Sequence, residues 1–267
     1  MPHTQKNYDN DSITMLKGPD RVRLRPAVIF GSDGLEGCEH AFFEILANAI
    51  DEAKAGYGNR INIEVKADHS IKVEDFGRGV PLGWNEREQR YNWDLVYCEL
   101  YAGGKYNNAD DTAYEFSLGM NGLGACATQF SSEYMNVTSY TKDGKYSIHF
   151  EKGFPVGELV KEEPVRRRTG TVVEWKPDLA VFTSIDIPFE FFNETIKKQA
   201  VVNAGVTIAL DFENQDGTHL TREYLYNNGI VDYINEIISV GDSYVPDAGD
   251  KENQDENEDT DEDTIEE

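Results

Sequence analysis

The fold is decided by FFEILANAIDEA at residues 42–53 and, shortly after it, DFGRGVP at residues 75–81. At about 100° per residue, the apolar side chains of the first segment share one broad face, as in an amphipathic helix packed on a core. Glu44, Asn48 and Asp51 follow one another at spacings of four and three, so they line up on the opposite face. Such a row can place a general base beside a metal ligand, although a solvated polar face has the same pattern.

Two short strands are predicted between these segments. Residues 61–65 and 71–74 alternate apolar and polar side chains with a period of two, and the polar residues 67–70 suit a hairpin turn. Asp75 then ends the second strand, just before two glycines. In that position the backbone can turn sharply away while the carboxylate points into a pocket. A buried carboxylate suits an exocyclic amine such as N6 of adenine, whereas an isolated Asp-x-Gly-x-Gly is more often an ordinary turn.

A glycine-rich loop supplies the third part of the pattern. Residues 103–124 are rich in Gly, Asn, Asp and Ser, and loops of this length in compact domains are often functional lids. The loop ends in GMNGLG at residues 119–124 and leads into a predicted helix, whose backbone N–H groups would face phosphate. It is neither a Walker loop nor a Rossmann fingerprint. Together the three segments predict an ATP site in which Glu44 activates water and Asn48 holds Mg²⁺.

The composition is that of a globular protein. The 267 residues suffice for one large domain or two small ones. No apolar run approaches the roughly 20 residues of a membrane span, and the first residues lack the apolar region of a secretion signal. The cysteines Cys38, Cys98 and Cys126 are far apart and form no metal-binding motif. We therefore expect a cytoplasmic protein without a disulfide framework, a zinc site or a membrane segment.

The charge is strongly negative and unevenly distributed. The formal net charge is −25, and residues 242–267 hold 13 acidic residues against one lysine. Duplex DNA is bound mainly by Lys and Arg side chains that neutralise phosphates, so this surface is not a DNA-binding footprint. If the protein works on nucleic acid, other domains or subunits should supply most of the grip.

The rest of the chain predicts further strands and helices around one main domain. The expected divisions are an N-terminal arm at 1–14, the main domain at 15–232, a linker or the start of another domain at 233–245, and a disordered acidic tail or insertion at 246–267. Predicted strands are 135–140, 145–150, 170–175 and 205–212, and predicted helices are 93–101, 189–203 and 229–239.

Several segments together carry a resemblance to a known family. They are LKGPDRVRLRP at 16–26, NAIDEAKAG at 48–56, DFGRGVP at 75–81, YAGGKY at 101–106 and TGT at 169–171. From about residue 8 to 233 the chain resembles the ATPase domain of the B subunits of type IIA DNA topoisomerases (DNA gyrase and topoisomerase IV), within the GHKL superfamily. The resemblance implies the GHKL (Bergerat) fold, an α/β (α+β) sandwich whose mixed, largely antiparallel sheet has helices on one face.

The resemblance also implies roles for individual residues, with ATP and Mg²⁺ as cofactors. Glu44 would be the general base, Asn48 the magnesium ligand, and Asp75 the adenine-binding carboxylate. Thr171 would assist Asp75 through water. The other expected nucleotide contacts are Asp51, Glu52, Arg78, Gly79, Pro81, Lys105, Tyr114, Gly119, Asn121, Gly122, Leu123 and Gly124.

At the level of assembly, the resemblance implies an ATP-operated clamp. Arg78 would pair with Glu52 at the rim of the pocket, and Tyr8 and Ile13 would belong to an arm that reaches a second B subunit. ATP-driven closure of that dimer would capture a DNA segment for passage through a double-strand break. The implied partners are therefore ATP, a second B subunit, the topoisomerase A subunit and duplex DNA held by the full assembly.

The chain departs from the family pattern around the nucleotide and in the lid. The departures are Ala47 for a usual Asp, Phe76 for a polar residue, Asn121 for a common His, and Glu115 and Leu118 for a usual Lys and Gly. An alternative is therefore a nucleotide-dependent dimerisation or regulatory module with little or no hydrolysis. The family's lysine that contacts the γ-phosphate belongs to the next domain, so we expect the chain alone to bind ATP tightly and to hydrolyse it slowly or not at all. The pattern leaves gyrase and topoisomerase IV equally open.

Overall fold

A computed structural model describes residues 13–102 and 122–241 of the chain. The strands are β1 (Arg60–Val65), β2 (Ile71–Asp75), β3 (Trp84–Asn85), β4 (Arg90–Tyr91), β5 (Ser132–Thr141), β6 (Gly144–Glu151), β7 (Phe154–Glu162), β8 (Gly170–Pro177), β9 (Thr207–Glu213) and β10 (His219–Tyr224). The helices are α1 (Asp20–Arg23), α2 (Pro26–Phe30), α3 (Leu35–Lys54), α4 (Asn92–Cys98), α5 (Gly124–Phe130), α6 (Phe189–Val202) and α7 (Ile230–Gly241).

Eight of these strands form one mixed sheet. Their order across the sheet is β10-β9-β1-β2-β8-β5-β6-β7, and β3 pairs with β4 in a separate hairpin. β1 runs parallel to β9, whereas the other neighbouring strands of the large sheet are antiparallel. The predicted hairpin of β1 and β2 is present, with Ile61 opposite Asp75. The sheet is therefore mixed and largely antiparallel, as predicted.

The core lies between the sheet and the longer helices. Phe42, Leu46 and Ile50 of α3 are completely buried, and each such side chain contributes about 2 kcal/mol to folding. The ring of Phe42 meets that of Phe192, on α6, at a centroid distance of 4.8 Å. Side chains of β1 are alternately buried and half-buried, so one face of the sheet packs on the core. This arrangement confirms the predicted fold class.

The structure adds strands that the sequence analysis missed. β7 lies at the edge of the sheet and eight of its nine residues are exposed, so it lacks the alternation by which a half-buried strand is recognised. β10, at the opposite edge, has only two half-buried positions. The short hairpin of β3 and β4 was missed as well. The helix predicted for residues 93–101 is shorter and shifted, and forms α4.

The last helix crosses a predicted domain boundary. α7 runs from Ile230 to Gly241 without a break, whereas the linker was expected to begin at residue 233. Glu236 of α7 receives a hydrogen bond of 2.8 Å from Lys197 on α6. This contact attaches the helix to the main domain, and the predicted domain limits, including the one at residue 233, stay predictions. Within the described ranges, none of the helices is long and apolar enough to cross a membrane.

A nearly buried ion pair fastens α1 to the end of β8. Arg23 donates to Oδ2 of Asp178 at 2.5 Å and to the carbonyl oxygen of Phe130 at 3.0 Å. The side chains of Arg23 and Asp178 are only 15% and 10% exposed. Burial alone would raise the pKa of Asp178, but the hydrogen bonds from Arg23 and from the N–H of Ala180 hold it below its usual value.

Arg23→Ala is expected to lower the free energy of unfolding by about 3–5 kcal/mol, because it leaves the Asp178 carboxylate buried without its partner. The contribution of Asp178 is complete above the pKa of an unfolded aspartate, about 4, and disappears as the pH falls through the lower folded pKa. Urea denaturation at neutral and acidic pH measures both effects. The control is Arg25→Ala, since the exposed side chain of Arg25 donates to the carbonyl oxygen of its neighbour Leu24 at 2.9 Å. Equal stability of the two variants would contradict the assignment.

Candidate functional site

The site begins at Asp75, where β2 ends. Its carboxylate accepts a hydrogen bond of 2.8 Å from the N–H of Gly77, and the N–H and hydroxyl of Thr171 also bond to it. Burial raises the pKa of Asp75 to about 6, with a further increase from the nearby Glu52, while the hydrogen bonds from Gly77 and Thr171 oppose this rise. A half-buried carboxyl whose pKa is raised in this way is typical of functional sites.

Glycines allow three strand ends to meet around this carboxylate. Gly79 has a φ of +82°, and a Cβ atom there would lie 2.4 Å from the carbonyl oxygen of Tyr140. A Cβ atom on Gly170 would lie 2.0 Å from the carbonyl oxygen of Asp75. Neither position can accept a side chain without displacing the backbone. The chain thus forms a tight cradle around Asp75, as expected from the two glycines after it.

Two hydroxyl groups fix the turn that follows Asp75. The N–H of Val80 donates to the hydroxyl of Thr171 at 3.1 Å. The hydroxyl of the buried Ser139 donates to the carbonyl oxygen of Val80 at 2.7 Å. The turn is therefore tied to both β8 and β5, and its last residue, Pro81, is exposed. This is where Thr171 and Pro81 lie relative to Asp75; their contact with a nucleotide stays a prediction.

The rim of the cradle carries the expected ion pair. Arg78 contacts Glu52 through both ends of its guanidinium group, Nε to Oε2 at 3.1 Å and Nη2 to Oε1 at 2.8 Å. The guanidinium also lies 4.0 Å from the ring centroid of Tyr57. Because the Arg78 side chain is 57% exposed, the pair contributes little to stability. Its two-point geometry instead fixes the orientation of both side chains.

The second half of the site lies where α3 meets the start of α5. A Cβ atom on Gly124 would lie 1.9 Å from Oε2 of Glu44, so the backbone of α5 begins directly on this carboxylate. Thr128, one turn further along α5, donates from its hydroxyl to the carbonyl oxygen of Ala41 at 3.2 Å. Gly124 is therefore required for the approach of the two helices. The predicted base and the predicted loop end are in contact.

His40 is a site residue that the sequence analysis missed. Its Nε2 lies 3.2 Å from Oε1 of Glu44, and its Nδ1 lies 3.2 Å from the carbonyl oxygen of Phe30. Which ring nitrogen donates depends on the tautomer, and in either case the ring lies between the Phe30 carbonyl and the Glu44 carboxylate. His40 therefore orients Glu44. The spacing of four residues on one helix was the signal that could have revealed this pair.

The polar face of α3 continues beyond Glu44. Asn48 is exposed one turn after Glu44, and Asp51 is half-buried. Magnesium is usually held by one or two protein oxygens together with phosphate and water oxygens. The side-chain oxygens of this face fit such a partly filled coordination shell. No cluster of three His, Cys, Asp or Glu side chains forms a self-contained metal site within residues 13–102 and 122–241.

Part of the predicted lid lies outside the described residues. This applies to Lys105, Tyr114, Gly119 and Asn121, and the arm residue Tyr8 is outside as well. The ends of the lid segment are described: the N–H of Tyr101 donates to the carbonyl oxygen of Gly122 at 3.1 Å. Leu123 then leads into α5. The arm residue Ile13 is described and 72% exposed.

A separate cavity lies at the opposite end of β1 and β2. It has a volume of about 280 Å³ and is lined by the β1–β2 turn and the start of α6, including Val65, His69 and Phe189. Neither Glu44 nor Asp75 lines it. The arrangement of charges and glycines around those two carboxylates, not this cavity, defines the candidate site.

The fold and this site define the GHKL class of nucleotide-binding domains. No family model matches the chain. It is 33% identical over 232 residues to the DNA gyrase B protein of Spiroplasma citri, covering 86% of this chain and 36% of that protein. It is 35% identical over 237 residues to the type 2 topoisomerase B protein of Aquifex aeolicus, covering 87% of this chain and 29% of that protein.

A solved structure agrees with these relatives. The crystal structure of the 43K ATPase domain of Thermus thermophilus gyrase B, in complex with an aminocoumarin, matches with a TM-score of 0.68 and 28% identity. The match covers 83% of this chain and 55% of that one. The chain spans about a third of the length of the curated relatives. Over the part of those proteins that it covers, the chain is a homologue of the gyrase and type 2 topoisomerase B proteins and of the gyrase B ATPase domain.

Proposed function

We propose that this protein binds and hydrolyses ATP as the N-terminal domain of a type IIA topoisomerase B subunit. The observation that carries the proposal is the pair of separated carboxylates. Asp75 is held in a glycine cradle with a raised pKa, and Glu44 lies against Gly124 at the start of α5. One carboxylate suits recognition of a base and the other suits proton transfer near phosphate. The similarity to the 43K ATPase domain of gyrase B supports ATP as the ligand.

In the proposed mechanism, Asp75 accepts a hydrogen bond from the exocyclic amine of adenine. Thr171 and Gly77 hold the carboxylate in position through their own hydrogen bonds. Glu44 accepts a proton from the attacking water, and His40 holds the Glu44 carboxylate in orientation. Asn48, with the neighbouring polar side chains of α3, would hold Mg²⁺, which neutralises phosphate charge when bound.

We infer that this activity serves a larger assembly in the cytoplasm. The proposed partners are a second B subunit, the topoisomerase A subunit and duplex DNA. Nucleotide-driven closure of the dimer of B subunits would capture DNA for strand passage. With a net charge of −25, this chain is poorly suited to grip DNA by itself, so the assembly would have to supply that grip.

The proposal is tested by calorimetric titration of the chain with a non-hydrolysable ATP analogue and Mg²⁺. Saturable binding of one analogue per chain is expected, with competition by ATP and none by a pyrimidine nucleotide. Failure of the folded protein to bind the analogue would overturn the proposed function. The regulatory alternative makes the same binding prediction, so it is separated only by turnover.

Nucleotide affinity is expected to fall at acidic pH. The ionised form of Asp75 is the better acceptor for the adenine amine, and burial raises the pKa of this carboxyl to about 6. Below this pH a proton must leave before the base binds, so the dissociation constant should rise about tenfold for each pH unit, levelling off near neutral pH. Titrations between about pH 5 and 8 measure this. A dissociation constant that is flat across this range would contradict the role of Asp75.

A further inference from the structure

Helix α4 joins the two halves of the candidate site. At its start, the N–H of Asn92 donates to the carbonyl oxygen of Gly83 at 2.8 Å, shortly after the turn that follows Asp75. Beyond its end, the N–H of Tyr101 donates to the carbonyl oxygen of Gly122, close to the start of α5. The helix is therefore fixed to the segment of Asp75 on one side and to the start of α5 on the other.

Tyr97 is the buried residue of α4. It is 4% exposed, and its ring packs against that of Phe150 at a centroid distance of 5.8 Å. Burial raises the pKa of the Tyr97 phenol, and the carboxylate of Asp75 raises it further. The phenol is therefore protonated at neutral pH, and it lies within electrostatic reach of the carboxylate that ends β2.

The hydroxyl of Tyr97 has no hydrogen-bond partner in the part of the chain that the structure describes. The buried Tyr226, by contrast, donates to Glu236 at 2.5 Å. A buried hydroxyl that forms no hydrogen bond is unfavourable in the free protein. Such a group is expected where a ligand supplies the missing partner.

The donors of the cradle described above are already occupied. The N–H of Gly77 and the N–H and hydroxyl of Thr171 bond to the Asp75 carboxylate itself, and the hydroxyl of Ser139 donates to a carbonyl oxygen of the turn. An adenine amine that donates to Asp75 brings its neighbouring ring nitrogens, N1 and N7, towards the cradle as acceptors. Of these groups, only the Tyr97 hydroxyl has a proton to donate to one of them.

We propose that the Tyr97 hydroxyl donates a hydrogen bond to a ring nitrogen of the base and acts with Asp75 to select 6-aminopurine nucleotides. Together the two groups present an acceptor and a donor, which complement the amine and a neighbouring ring nitrogen of adenine. Guanine carries an oxygen in place of this amine, and the Asp75 carboxylate repels it. The proposal rests on the proposed function, because it assigns a further contact within the same nucleotide site.

Tyr97→Phe tests the proposal, because it removes the hydroxyl and keeps the ring against Phe150. Calorimetric titration of the full chain should show about tenfold weaker binding of a non-hydrolysable ATP analogue with Mg²⁺. The titration is repeated with the 1-deaza and 7-deaza forms of this analogue, each of which lacks one ring acceptor. Parent and variant should bind equally the form that lacks the nitrogen contacted by Tyr97. With the other form, the difference between them should remain.

Tyr226→Phe is the matched control, since Tyr226 is 6% exposed and its hydroxyl bonds to Glu236. This variant should unfold at a lower temperature and bind the analogue as the parent does, because it loses a hydrogen bond far from the base. Tyr97→Phe should instead lose affinity without losing stability, since its hydroxyl has no partner to lose in the described part of the free protein.

Binding of the analogue by Tyr97→Phe with parental affinity would overturn the proposal. An equal loss of affinity for all three analogues would overturn it as well, because Tyr97 would then act through packing and not through a ring nitrogen. If the folded parent binds no analogue at all, the proposed function itself fails, and this proposal fails with it.

Discussion

Asp75→Asn is expected to weaken binding of a non-hydrolysable ATP analogue by about two orders of magnitude. The substitution keeps the size of the side chain but removes the negative charge and one of the two acceptor oxygens. A hydrogen bond to a charged group contributes about 1.5–3 kcal/mol, and the amide keeps only one oxygen, which can accept either from the N–H of Gly77 or from the adenine amine. Calorimetric titration with the analogue and Mg²⁺ measures the loss.

The same substitution should leave the fold intact or make it more stable at neutral pH. The pKa of Asp75 is raised in the folded protein to about 6, so the ionised carboxylate is less favourable there than in the unfolded chain. The protonated carboxyl therefore favours the folded protein, and this contribution to stability is lost as the pH rises through the folded pKa. At a pH above the folded pKa, removing the carboxylate should therefore raise the unfolding temperature. A gain in stability with a loss of function is common when a functional residue is replaced.

The control for this prediction is another aspartate. Asp186→Asn changes a side chain that is 84% exposed and far from the cradle, so the affinity should stay unchanged. Parental affinity in Asp75→Asn would remove Asp75 from the base-recognition site. A loss of affinity accompanied by a lower unfolding temperature would point to a damaged cradle instead.

The parts of the fold that sequence analysis predicted are those in which local pattern and burial coincide. The apolar face of α3 repeats at helical spacing, and β1 and β2 alternate because one face of each strand meets the core. β7 could not be found in this way, since its exposed side chains carry no alternation. Its pairing with β6 depends on contacts between strands, which a local pattern does not contain.

The same contrast between local sequence pattern and contacts between distant residues applies to the candidate site. Glu44, Asn48 and Asp75 were identifiable because their residue types and spacing are unusual on a helix face and at a strand end. The contacts that make them a site join distant parts of the chain, as in the approach of Gly124 to Glu44 and of Gly170 to Asp75. Such approaches are set by the packing of α5 and β8 on their neighbours. Sequence analysis named most of these residues without showing that they meet.

Glu44→Gln is expected to abolish ATP turnover while leaving nucleotide binding nearly unchanged. Glutamine keeps the contact with Gly124 but cannot accept a proton, and loss of a general base typically costs about 10²–10⁴ in rate. Because the chain alone is expected to turn over slowly, phosphate release is best followed in single turnover with excess protein. Binding of the non-hydrolysable analogue, measured in parallel, separates loss of chemistry from loss of the site.

His40→Gln provides the comparison that identifies the partner of this base. Its loss should lower the single-turnover rate less than Glu44→Gln and leave binding of the analogue unchanged, because His40 positions Glu44 through their 3.2 Å contact. A merely structural role for His40 would lower stability without lowering the rate of the folded protein. If Glu44→Gln hydrolyses ATP as fast as the parent, Glu44 is not the base. If neither the parent nor Glu44→Gln hydrolyses ATP although both bind the analogue, the better description is the regulatory module, in which Ala47 lies beside Asn48. The adenine-recognition half of the site would then act without hydrolysis.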